Sequence, residues 1–242
     1  MHIALLGMGR LGRTLAPALR RAGHQVHPWR RGEPFPVAEV RWLTVRDDAL
    51  AGVAAVLPPG GVVLHASGAA GVDVLRPHRP AGSLHPLMTF PGPEIASPPL
   101  TGLPAAVAGD PEAIEVARAL CASLGMEPFE VPGDRRLYHA ACTMAGNLPL
   151  LLLAEAARLL AMAGVGEEEP LRLLLPLARA ALENAARVGP ARALTGPVAR
   201  GDAATLRAHE ESLAVHDEGL ARLYAAICAR AASASDPHRG SP

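Results

Sequence analysis

Apolar positions follow two rhythms along this chain, and the rhythm changes once. Up to about residue 131, short apolar runs alternate with segments of helical period. Residues 2–6, 25–29, 40–45, 62–66, 82–84, 105–108 and 128–131 read as strands, and residues 11–22 as a helix closed by Gly23. Asp110-Pro111-Glu112 is a strong helix start, since Asp caps, Pro suits the first turn and the acid complements the helix dipole. That helix should end at Gly125. Strands separated by helices predict an α/β fold with a doubly wound, Rossmann-type parallel sheet over residues 1–131. From Pro132-Gly133-Asp134 onward the period is helical, over about 135–163, 167–188 and 202–232. Residues 132–242 are therefore expected to form an all-α domain, with a frayed Ser/Pro/Gly-rich tail at 233–242.

Composition narrows the function classes. Half of the 242 residues are hydrophobic, 19% are charged and the formal net charge is zero, so no global basic field exists to hold nucleic acid or an anionic membrane. The greasiest run, residues 148–154, contains Pro149, stops at Glu155 and falls short of a membrane span. Met1 leads straight into a strand pattern without the features of a targeting leader. Cys121, Cys142 and Cys228 are widely spaced and match no metal-ligand pattern, which suits reduced thiols in a cytoplasmic protein that holds no metal.

Gly7-Met8-Gly9-Arg10-Leu11-Gly12 fits G-x-G-x-x-G, and its context is the informative part: a strand leads in, a helix leads out and a second strand follows. The first glycine makes the tight turn, the second lets a pyrophosphate approach the backbone, and the third lets the helix pack closely. The following strand ends in Trp29-Arg30-Arg31-Gly32, where an NAD-preferring site would carry an acid. Arg30 and Arg31 suit a 2′-phosphate, and an indole or guanidinium face suits adenine stacking, so NADP(H) is favoured over NAD(H). The same two residues also read as solvated arginines at a turn.

Thr44-Val45-Arg46, Ser67 and His85 fall at or beyond strand ends, on the rim where open α/β sheets bind ligands. Thr44, Val45 and Arg46 are placed to line a cofactor channel, and Ser67 to reach the nicotinamide ribose or the substrate. His85 suits the proton donor that hydride transfer to a carbonyl or imine requires; a histidine bonded to a loop beside a rigid proline is the plainer alternative. His139, Thr143 and Asn147 recur at i, i+4 and i+8 on one helical stripe, as substrate contacts. Pro149 removes the N–H that would bond the Ala145 carbonyl and should kink the helix at Asn147, whose amide either orients a reacting group or satisfies that carbonyl. Asp202 is a good N-cap for the last helix. Arg200 and His209 are further substrate-binding candidates, with His216 behind them, and each reads equally well as an ordinary paired or half-buried side chain.

These motifs carry a resemblance. Val63-Leu64-His65-Ala66-Ser67-Gly68, Gly82-Ser83-Leu84-His85-Pro86-Leu87-Met88-Thr89-Phe90, Tyr138-His139-Ala140-Ala141, Gly146-Asn147 and the run from Leu194 to Asp202 occur in order. In them the chain resembles a family of Rossmann-like proteins with a C-terminal helical domain of unknown function, the 2520 domain-of-unknown-function family. That family is related to pyrroline-carboxylate reductase, prephenate dehydrogenase and hydroxyacid dehydrogenases. The resemblance implies an NAD(P)-dependent oxidoreductase-like protein, dimeric through its helices, and His85-Pro86 is similar to the His-Pro pair of the prephenate dehydrogenases. Several related hydroxyacid dehydrogenases use a helical-domain lysine as proton donor, and all 23 basic residues here are arginine. Two functions follow as expectations. One is an NADP(H)-dependent oxidoreductase acting on a small polar metabolite in a cleft between the domains, with His85 and Asn147 catalytic. The other is a non-catalytic dinucleotide sensor or dimeric scaffold; a deazaflavin-linked oxidoreductase is a third variant.

Overall fold

A computed structural model describes residues 1–92, 94–166 and 169–234. The chain divides into two compact units, Met1–Leu150 and Leu151–Pro242.

The first unit is built on one seven-stranded sheet in the order β2-β1-β3-β4-β5-β6-β7. Its strands are β1 (His2–Leu6), β2 (Gln25–Trp29), β3 (Val40–Leu43), β4 (Val62–His65), β5 (Ala81–Pro86), β6 (Pro104–Gly109) and β7 (Glu127–Glu130). Strands β1, β3 and β4 are buried on both faces after exposed His2 and mostly apolar, with Arg41 and His65 the polar exceptions, as suits strands sandwiched between helices. The helices of this unit are α1 (Arg10–Arg21), α2 (Asp47–Val56), α3 (Pro111–Leu124) and α4 (Arg135–Gly146). One core cluster packs Leu15 and Leu19 of α1 and Ala117 and Leu120 of α3 against Ile3, Leu5, Trp42 and Leu64 of the sheet. The other packs Leu50, Val53 and Ala54 of α2 against Ala4, Leu6, Leu43 and Val63.

Strands β1 to β5 pair in parallel, so the ends of β1, β2, β3, β4 and β5 share one rim. The order reverses at β1, where β2 lies on one side and β3 on the other, which creates the crevice that binds ligands in doubly wound sheets. The sheet is parallel as expected, with one local exception: β6 runs antiparallel to β5. Among the described residues no helix intervenes between these two strands, so β6 returns along β5 instead of following a crossover. Helix α2 was absent from the sequence reading. Its ten residues include Gly52 and follow directly on the polar turn at Arg46, so the segment carries only a weak helical signature.

Helix α3 starts and ends where the capping signals place it, with Pro111 in the first turn and Gly125 left-handed at φ 71°. The Asp110 carboxylate accepts instead from the Ala81 N–H at 2.9 Å, tying the helix start to β5.

The second unit is helical: most of α5 (Leu148–Met162), then α6 (Pro170–Val188), the short α7 (Pro190–Ala193) and α8 (Gly196–Arg200), α9 (Ala203–His216) and α10 (Glu218–Ala234). The long segment expected over 135–163 is broken at Asn147, as Pro149 requires. The segment expected over 202–232 is broken at Asp217, whose carboxylate takes the Leu220 N–H at 2.9 Å and starts α10. Asp202 caps α9 as expected, accepting from the Thr205 N–H at 3.1 Å. The expected helix start at Glu167 and residues 235–242 of the tail lie outside the described residues. The apolar run at 148–154 is short, but it lies within a 28-residue helical stretch, Arg135–Met162, long and apolar enough to cross a membrane. None of its apolar window is buried within the chain.

Candidate active site

Between β1 and α1 the glycine loop has the shape the fingerprint requires. Gly7 is at φ 117°, a conformation side chains rarely adopt, and a Cβ there would lie 2.8 Å from the Val45 backbone nitrogen. A Cβ on Gly12 would overlap the Gly7 carbonyl and lie 3.1 Å from Thr44 Oγ1. A Cβ on Gly9 would meet nothing within 4 Å, so this glycine faces open space. Gly9 caps α1 without a side-chain bond, and the first turn holds no acid. The N–H groups of Arg10, Leu11 and Gly12 thus stand at a positive helix end, the arrangement that receives phosphate. Met8 and Leu11 are half-buried against the core, which leaves the backbone and Arg10 for a ligand. The residues present fit a dinucleotide.

Beyond β2, Trp29 is buried, stacks on Phe35 at 4.7 Å between centroids and donates Nε1–H to the Glu33 carbonyl at 2.8 Å. Its indole is committed to the fold, which leaves stacking to guanidinium faces. Arg30 and Arg31 are exposed, and neither guanidinium has an ion-pair or hydrogen-bond partner among the described residues. Arg31 and Arg46 border a groove of about 810 Å3 at this rim. Arg46 also pairs with Asp48 at 2.7 Å.

Thr44 and Ser67 have structural commitments of their own. Thr44 is buried, and its hydroxyl donates to the Gly7 carbonyl at 2.6 Å, bracing the glycine loop from β3, while Val45 packs beside Gly7. Ser67 Oγ donates to Asp47 at 2.7 Å and accepts the N–H groups of Ala69 and Ala70 at 3.2 and 2.9 Å. The turn after β4 is thereby fixed, and the Ser67 carbonyl accepts from Arg135 Nη2 at 3.0 Å.

His85, at the end of β5, is the centre of the site. Its Nδ1 is hydrogen-bonded to Tyr138 Oη at 2.8 Å, and the His139 ring stands edge-on with centroids 6.3 Å apart. Gly68 makes this proximity possible: a Cβ there would lie 2.6 Å from His139 Cδ2 and 3.0 Å from His85 Nε2. The Arg135 guanidinium lies 5.8 Å from the centre of the Tyr138 ring. Its Nε and Nη1 are buried without a partner among the described residues. Together these contacts hold α4 to the sheet unit.

Burial, then the charges of Arg135 and His139, push His85 down to about 4, against an opposing pull from Asp47. Burial and Arg135 likewise push His65, fully buried one strand away, down to about 4. Burial raises the Tyr138 phenol above its ordinary value. Both His85 and Tyr138 are therefore neutral near pH 7, and their bond joins two neutral groups.

A cavity of about 650 Å3 opens between the end of β5 and α4. It brings together four of the expected residues, His85, His139, Thr143 and Asn147. Asn147 is exposed and its amide makes no hydrogen bond among the described residues, so it does not satisfy the carbonyl that Pro149 frees. Arg200 and His209 belong to the second unit. Arg200 ends α8, and His209 Nδ1 is hydrogen-bonded to Tyr224 Oη at 2.8 Å beside a smaller cavity of about 390 Å3 that His216 also lines. No sequence pattern marks Arg135, Tyr138 or Asp47 for a site role, and Tyr138 and Gly68 stand in the sequence only as parts of motifs.

A family described as a domain of unknown function (DUF2520) matches residues 103–231, more than half of the chain. The chain belongs to this family. It is also 39% identical over 124 residues to a glycerol-3-phosphate dehydrogenase [NAD(P)+] of Gloeobacter violaceus, a match covering 44% of this chain and 40% of that protein. The chain thus spans less than half the length of this curated relative. Among solved structures it is similar to a Bacteroides fragilis protein provisionally named an NADP oxidoreductase, with a TM-score of 0.80 at 22% identity over 96% of this chain and 98% of that one. It is also similar to the 1-pyrroline-5-carboxylate reductase of Streptococcus pyogenes, with a TM-score of 0.61 at 14% identity over 97% and 98%. The likenesses to solved structures establish a Rossmann-type fold.

Proposed function

We propose that this DUF2520 member is an oxidoreductase that uses NADP(H) in preference to NAD(H) to transfer hydride at a carbonyl or imine of a small metabolite. The observation that carries the reading is His85, bonded to Tyr138, on the same sheet rim as an unobstructed glycine loop and a free helix N-terminus. The names of the similar proteins, an NAD(P)+ dehydrogenase, an NADP oxidoreductase and a reductase, support the same chemistry.

Bound NADPH supplies a hydride, one hydrogen with two electrons. The chain's own residues do the rest. With Tyr138 Oη–H donating to His85 Nδ1, the imidazole hydrogen sits on Nε2. As the acceptor carbon takes hydride, the π pair of the C=O or C=N bond moves to the heteroatom, which takes the Nε2 proton. The Tyr138 proton passes to Nδ1; a solvent proton then returns to Nε2 while the Nδ1 proton goes back to the phenolate, which restores the starting tautomer. The nearby Arg135 cation offsets the negative charge that collects on Tyr138 during this transfer. Arg30 and Arg31 hold the 2′-phosphate. The protein acts as a homodimer that covers its exposed apolar helices, and neutral His85 takes the place of a lysine donor.

Thermal unfolding with NADPH, NADH or neither tests the cofactor. Saturation about 100-fold above Kd adds roughly 2.7 kcal/mol, several degrees in Tm. A larger shift with NADPH is expected. An equal or larger shift with NADH removes the role of the arginines, and no shift with either removes the dinucleotide.

A further inference from the structure

Resting on that hydride-transfer reading, the lining of the cavity at His85 speaks to what enters it. Among the described residues no Asp, Glu or Arg lines it, and the chain has no lysine. Its walls are largely apolar, with Leu87, Met88, Phe129 and Cys142 among them. The polar side chains that reach it, His85, Thr89, Tyr138, His139, Thr143 and Asn147, donate or accept hydrogen bonds, and none is a permanent ion. Arg135, whose charge reaches His85, does not line the cavity; one nitrogen is spent on the Ser67 carbonyl and two are buried. A carboxylate or phosphate entering here would lose its hydration and meet no fixed cation in the lining, only the imidazole rings of His85 and His139. An apolar skeleton with one acceptor atom would lose little and fill a volume of ordinary ligand size.

We propose that the cavity beside α4 takes an uncharged, largely apolar ketone, aldehyde or imine, hydrogen-bonded at its reacting atom by His85 Nε2–H. The neutral state of His85 and Tyr138 agrees with this, since neither offers an anion a positive partner. The substrate class therefore differs from that of a glycerol phosphate or a 2-oxo acid, whose recognition requires a cation at the site.

A matched pair of ligands tests the proposal: 4-phenylbutan-2-one and 2-oxo-4-phenylbutanoate, which differ in a methyl against a carboxylate. NADPH consumption gives kcat/KM for each, and ligand-observed NMR on the full chain without cofactor gives binding alone. At least a tenfold preference for the ketone in both readouts is expected, with ketone binding weakened at least tenfold in Ala145→Trp, which fills the cavity. Ketone binding without turnover would support the cavity's chemistry while removing the hydride-transfer reading. Preference for the oxo acid, lost in Arg135→Ala, would make Arg135 an anion receptor and overturn the proposal. Binding of neither ligand, or ketone binding unaffected by Ala145→Trp, would overturn it as well.

Discussion

A histidine that titrates near 4 cannot serve as an imidazolium donor at neutral pH, and this gives His85 a recognisable pH signature. If it donates as neutral Nε2–H, kcat/KM for ketone reduction should be flat from about pH 5.5 to about pH 8. A fall centred near the ordinary histidine value would mean that the protonated ring is the donor. Tyr138→Phe removes the bond that selects the tautomer and should lower kcat by about tenfold to a hundredfold with little change in KM. An unchanged kcat would leave Tyr138 a purely packing residue. His65 carries the matching consequence for stability. Its folded value, about 4, lies below the ordinary 6.5, so the unfolded chain binds the proton first as pH falls. Stability is complete above 6.5 and drains away towards 4. This residue alone should cost about 2 kcal/mol between neutrality and about pH 5. Urea unfolding of His65→Gln should show a shallower acid loss than the parent, and identical slopes would refute the assignment. At this scale the sequence stripe of His139, Thr143 and Asn147 was legible but begun one turn late. Arg135 sits at i−4 from His139, and a basic residue gave no cue that it would be half-buried. Tyr138 stands in a quoted motif but lies off that stripe, and only the position of His85 on β5 shows that Tyr138 and His139 both face it.

The strand–glycine loop–helix element separates two kinds of glycine. Gly12→Ala forces a Cβ into the Gly7 carbonyl, so it should lower unfolding free energy by about 1–3 kcal/mol and disturb the loop. Gly9→Ala adds a Cβ to open space and should leave the cofactor-free Tm almost unchanged, yet abolish most of the NADPH-induced rise by occupying the approach of the pyrophosphate. A Gly9→Ala protein that keeps the full NADPH shift would mean the dinucleotide lies elsewhere. This element was fully legible, because each of its parts is local: apolar run, glycine spacing, helical period. The antiparallel β6 was not, since strand direction depends on what the connection 87–103 does in space and not on the pattern of either strand. Helix α2 escaped for a related reason: its helical state is stabilised by packing Leu50, Val53 and Ala54 on the sheet more than by a start signal or intrinsic propensity.

For the molecule as a whole, the unanswered quantity is apolar surface. Leu148, Leu150, Leu151 and Leu152 of α5, and Leu171, Leu173, Leu177 and Leu182 of α6, are all exposed in the single chain. A helix apolar around most of its circumference is stable only when something covers it, and patches of this kind exceed what a monomer leaves to water. Three covers are physically available: a second copy, a membrane, or aggregation. The second copy is favoured by charge placement. Arg158 of α5 bonds Glu155 and Asp217 at 2.8 Å each, so this helix carries a paired, solvent-exposed ionic group that a hydrocarbon core would have to strip of water. Light scattering on the eluted protein should therefore give twice the chain mass of 25.0 kDa without detergent. Leu151→Arg with Leu177→Arg should shift the mass towards one chain, or cause precipitation, while leaving the sheet unit's NADPH response measurable in whatever remains soluble. A parent protein that is monomeric and soluble at micromolar concentration would remove the dimer, and one that sediments with membranes until detergent is added would make the 28-residue apolar stretch a membrane element.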